Sequence, residues 1–129
     1  MAPRPDAGEA GSAVVEFSLV GALVVVLFLA VVQLGVAMHV RTTLVAAAAA
    51  GARYGANANR GPADAVRRTR ELVGSALSPT YPVQVSASYE TRDGVPALVV
   101  RVQAPFPVVG LAGPRDDLAV AAGAWAEPR

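Results

Sequence analysis

The sequence predicts an α+β chain: a long N-terminal α-helix with a transmembrane first half, leading into a small domain of one short helix and about three antiparallel strands. Three observations predict it. Phe17 to Met38 is a run of 22 residues without a formal charge. Residues 62–77 place apolar side chains at helical spacing. Residues 82–104 alternate apolar and polar side chains on either side of a turn-forming TRDG segment.

Length and composition set the frame. With 129 residues there is room for one domain, or for one membrane segment and a small domain. The chain has no Cys, which excludes disulfides and thiolate metal sites. A net charge of +1 gives no electrostatic footprint for nucleic acid. All 11 basic residues are Arg, and Ala, Gly and Pro abound, a bias typical of GC-rich codon usage. Composition alone therefore says little about function.

The first segment, residues 1–11 (MAPRPDAGEAG), is polar and nearly neutral and reads as disordered. The apolar run follows. At 1.5 Å per residue, residues 17–38 would span about 33 Å, enough for a hydrocarbon core. Fourteen of the 22 are Val, Leu or Phe, each worth roughly −0.3 to −0.6 kcal/mol on insertion. Lipid offers the backbone no other partner, so helix prevails despite the many Val residues. A buried helix of a soluble core is the competing reading, with only about 90 further residues to cover it. Beyond His39 and Arg41, TTLVAAAAAGARYGAN sustains helix propensity, giving one helix over 12–58 that Asn57, Asn59 and Gly61 terminate.

The third segment, 59–129, is the small domain. PADAVRRTRELVGSAL opens with Pro62 and carries Asp64 in its first turn. Val66, Thr69, Val73, Ala76 and Leu77 fall on its apolar face. PVQVSASYE presents Val83, Val85, Ala87 and Tyr89 on one face, and VPALVVRVQA presents Leu98, Val100 and Val102. TRDG (Thr91 to Gly94) joins them as a hairpin. APFPVVGLAGPRDD is a loop, and DLAVAAGAWAEP alternates as a third strand, with helix left open by its Ala content. Without disulfides or metal, so small a core is marginal by itself and predicts an assembly.

The most informative stretch is Gly11-Ser12-Ala13-Val14-Val15-Glu16-Phe17, directly before the apolar run. A carboxylate at a membrane edge costs energy and calls for a reason. The arrangement resembles the processing site of prepilins: Gly, four residues, Glu, then an apolar helix. Together with Ala50-Gly51-Ala52-Arg53-Tyr54-Gly55-Ala56, it makes residues 11–60 look like a TadE-like protein, a minor pseudopilin of tight-adherence (Flp) pilus systems. The resemblance implies cutting between Gly11 and Ser12 by a membrane-embedded prepilin peptidase, so that residues 1–11 form a cytoplasmic propeptide. It implies an assembly and register role for Glu16 and Phe17. It also implies a cytoplasmic N-terminus and an extracytoplasmic domain. Charge counting does not set that orientation, because Arg4 lies on one side and Arg41 and Arg53 on the other. The partners implied are the bilayer, the peptidase, other pilins or pseudopilins and the assembly platform.

Other features have bland readings beside the sharper ones. Ala47, Gly51 and Gly55 recur every four residues and would let helices approach, though codon bias yields the same pattern. Arg53 and Tyr54 would fix the domain to the helix, by a guanidinium bonded to strand carbonyls and a packed ring, or be ordinary surface residues. Arg60, Arg67, Arg68 and Arg70 read as a solvated face, helped by an Asp64–Arg68 pair, rather than as a lipid or acidic-partner site. His39 is the single His, placed for interfacial solvation, and Trp125 reads as a core or interface anchor.

No Cys nucleophile, phosphate-cradling Gly motif or metal-spaced cluster appears in the sequence. The sequence therefore predicts no enzyme, no cofactor, no metal, no nucleic acid and no small-molecule substrate. Two alternatives to a pseudopilin stand beside it. One is a secreted binding module whose signal peptide is cut at Gly35-Val36-Ala37 or Ala46-Ala47-Ala48. Against it, 22 uncharged residues exceed the usual signal core of about 7 to 15. The other is an uncleaved anchor that scaffolds another envelope complex.

Overall fold

The computed structural model describes residues 7–105 and 117–126. Its elements are α1 (Ala7–Gly55), α2 (Pro62–Ala76), β1 (Gln84–Arg92), β2 (Val95–Pro105) and β3 (Asp117–Trp125). This is the expected α+β arrangement: a long apolar helix, a short helix and a three-stranded antiparallel sheet. The loop expected over 104–117 lies almost wholly outside the described residues. The chain divides into two compact units, 1–35 and 36–129, and α1 contributes to both.

The boundaries of α1 differ from the expected 12–58. It starts at Ala7, so residues 7–11 are helical rather than disordered. Ala7 and Ala10 are strong helix formers, and Glu9 lies in the first turn, where its charge complements the helix dipole. The helix stops at Gly55. Ala56 N–H still reaches the Ala52 carbonyl at 2.9 Å, and Arg60 N–H then closes a turn on the Asn57 carbonyl at 3.0 Å.

α2 begins with Pro62, whose missing N–H costs nothing in a first turn. Asp64 accepts from the Gly61 N–H at 3.0 Å, half of a capping box. Its other oxygen pairs with Arg67 at 2.9 Å, not with Arg68, which pairs with Glu71 at 3.3 Å. The buried face is Ala65, Thr69 and Val73. Of the expected Val66, Thr69, Val73, Ala76 and Leu77, Thr69 and Val73 are buried, Val66 and Leu77 are half-buried against the core, and Ala76 is exposed, while Ala65 joins the face in addition. The reason is on α1, where Gly51 and Gly55 admit only small side chains opposite.

The sheet runs β1-β2-β3, with Val85 opposite Val102 and Val102 opposite Val120. Its hairpin is tighter than the four-residue TRDG turn. Thr91 and Arg92 still pair with Pro96 and Val95, so only Asp93 and Gly94 turn. Both are left-handed, with φ of 52° and 78°. That is the two-residue geometry matched to strand twist, and Asp-Gly is suited to it.

One face of the sheet carries Val85, Leu98, Val100, Val102, Ala104 and Val120. They form one core with Val40, Leu44, Ala47, Ala48, Ala52 and Ala56 and with Ala65 and Val73 of α2. Tyr89 shares that alternation but stands on the edge strand and is exposed. On the opposite face, Ala97 and Val99 are also buried, which period-two reading assigns to solvent. Long side chains account for it. Glu90 and Arg101 form an ion pair diagonally across the Ser88–Val99 rung. Arg92 reaches from β1 to Gly123 on β3, with Nη1 3.9 Å from where a Cβ would stand. Charged heads stay wet while their stems cover apolar neighbours. Trp125, opposite Ala97, is exposed and so is no core anchor.

Candidate functional site

The N-terminal signature lies within α1. Gly11, Ser12, Glu16 and Phe17 are helical and exposed. Ser12 and Glu16 are four residues apart, so they share one helix face one turn apart. Phe17 is 81% exposed and opens the bare stretch. From there to Leu34 every Val, Leu and Phe is exposed, Val32 the least at 43%. The most apolar window of the helix buries none of its residues inside the chain. Soluble proteins rarely leave so large a contiguous apolar surface to water. By length and composition this helix can cross a membrane.

The second half of α1 is built differently. Gly51 and Gly55 are buried where α2 and the sheet come closest. A Cβ on Gly51 would collide with the Thr69 side chain and stand 2.9 Å from the Ala65 carbonyl oxygen. One on Gly55 would stand 2.5 Å from Ala65 Cβ and 2.7 Å from Leu98 Cδ2. Thr69, fully buried, donates to the Ala65 carbonyl at 2.8 Å, so its hydroxyl is satisfied without leaving its own helix. The spacing of Ala47, Gly51 and Gly55 thus has an intrachain use, whatever codon bias contributes.

Tyr54 and Arg53, adjacent in sequence, part company. Tyr54 is half-buried, and the Arg60 guanidinium lies 3.7 Å from its ring centroid, with Arg68 at 5.8 Å. A cation over an aromatic face is held by the ring quadrupole. Arg53 is exposed and, among the described residues, bonds no strand carbonyl, so the cation beside Tyr54 is Arg60 instead. Sequence reading missed that pairing because Arg60 lies in the turn, and only the reversal after Asn57 brings it over the ring.

Further along, Tyr81 donates its hydroxyl to the Pro105 carbonyl at 3.2 Å. Burial pushes its phenol above the ordinary value. His39 lines a shallow apolar groove of about 420 Å³ with Thr43, Ala47, Ala50, Leu72 and Ala76. Among the described residues no group of three or more His, Cys, Asp or Glu could hold a metal. The chemistry offered is apolar surface, one carboxylate at its edge and close helix packing.

Residues 11–53 match the family model for TadE-like protein. No curated protein and no solved structure matches the chain.

Proposed function

We propose that this chain is a membrane-anchored, pseudopilin-like component of tight-adherence (Flp) pilus assembly or related secretion, made as a precursor and cut by a prepilin peptidase between Gly11 and Ser12. The observation that carries it is the TadE-like match over 11–53, which takes in Glu16 and the unburied apolar helix together. Residues 17–38 lie in the bilayer, the N-terminus is cytoplasmic, and the folded domain faces outward. Cutting frees the Ser12 amine, with a pKa near 8, one turn from the Glu16 carboxylate. Each compensates the other near hydrocarbon. Between neighbouring helices the same carboxylate reaches the next amine and selects one axial register, the better-attested use of such a pair.

The two signal-peptide cuts differ in what they would remove from the folded core. A cut at Ala48 would strip Val40, Leu44 and Ala47 from the core and so counts against that site, whereas a cut at Ala37 would leave those residues in place. The deciding measurement is intact-mass spectrometry of the membrane-extracted protein. A chain beginning at Ser12 is expected; one beginning at Met1 or Ala2 favours an uncleaved anchor and overturns processing. Glu16→Gln is expected to leave membrane insertion unchanged and to abolish co-purification with sister pilins.

A further inference from the structure

The processing bond proposed above lies inside a helix. α1 is continuous from Ala7, so the Ser12 N–H is committed to the Gly8 carbonyl and the Gly11 carbonyl to the Val15 N–H. Both polar groups of the bond to be cut are engaged in the ladder. A nucleophile must reach the Gly11 carbonyl carbon, which helical packing of the backbone obstructs. We propose that cleavage is gated by local unwinding of the first turns of α1, and that Gly8 sets how often this segment opens. The inference rests on the processing reading and deepens it.

Three observations favour Gly8 as the control point. It is the hydrogen-bond partner of the very amide that must be released. It is exposed, with nothing within 4 Å of a Cβ built there, so a methyl group would meet no neighbour and act through backbone freedom alone. It also lies in the first turn, where few ladder bonds hold the helix shut and fraying is cheapest. Gly11 weakens the same segment but adjoins the cut, so its substitution would also alter direct recognition. When opening is fast relative to cutting, the cleavage rate follows the open population. Replacing Gly by Ala in a helix then lowers that population about fivefold. Thr, a poorer helix former, lowers it less than about twofold.

The test is the conversion rate of full-length precursor in membranes containing a prepilin peptidase, followed by intact mass for wild type, Gly8→Ala and Gly8→Thr. Amide hydrogen exchange over Gly11 to Val15 is measured on the same three proteins. The expected order is wild type fastest, Thr next and Ala slowest by about fivefold, with exchange slowing in the same order. Equal rates, or Thr slower than Ala, overturn the gating, since the latter order tracks side-chain size and means a direct peptidase contact. A wild-type chain that is never cut overturns the processing reading instead.

Discussion

Up to Gly35, α1 exposes Val, Leu and Phe along its whole surface, whereas from Val36 it buries Ala37, Val40, Leu44, Ala47, Ala48 and Ala52. The more hydrophobic half is the bare one. Burial inside this protein follows fit, with small side chains where two helices must close, and not apolar content. The large side chains of the first half are surplus to the fold, and their natural complement is another apolar phase.

Paired substitutions in the two halves test this contrast. The largest expected effect is at Gly51. Gly51→Val drives methyl groups into Thr69 and the Ala65 carbonyl and should destabilise the domain by about 3 kcal/mol or more. Gly21→Val, with open space around its Cβ, should leave domain melting by circular dichroism unchanged. Equal losses would break the comparison. Leu98, fully buried in the sheet centre, comes next. Leu98→Ala should cost about 2–5 kcal/mol in a denaturant titration, against no measurable change for the exposed Leu27→Ala.

Tyr81→Phe is the smallest. It removes the bond to the Pro105 carbonyl, worth about 1 kcal/mol near neutral pH. Because burial raises the phenol above its unfolded value, the folded state favours the protonated form. That contribution is fully present below about pH 10 and is lost as pH rises through the folded value. The stability gap between wild type and Tyr81→Phe should therefore be constant through neutrality and narrow in alkali. A gap that widens there would reverse the sign of the linkage.

Much of the fold was legible because it rests on local rules. The uncharged run, Pro62 at a helix start, the alternation through Leu98, Val100 and Val102, and Asp-Gly at a turn each announce an element within a few residues. Glu16 before the apolar run was equally legible, being a chemical anomaly in its own place. Apart from local misses at residues 7–11, at the Asp64 ion pair and in the TRDG turn, the errors come from contact between residues distant in sequence. Period-two alternation could not know that Arg92 and the Glu90–Arg101 pair would cover Ala97 and Val99. Helical periodicity placed Thr69 and Val73 on the buried face of α2 but passed over Ala65, the small residue that Gly55 packs against.

The sequence by itself determined that this chain carries a helix able to cross a membrane, because hydropathy and length are additive properties of a linear segment. It also determined the order of helix, helix and strands. Only the tertiary structure decided which side of α2 meets α1, which cation rests on Tyr54, and where the long helix stops burying itself. Those outcomes depend on how closely two backbones approach, a distance that no single stretch of sequence encodes.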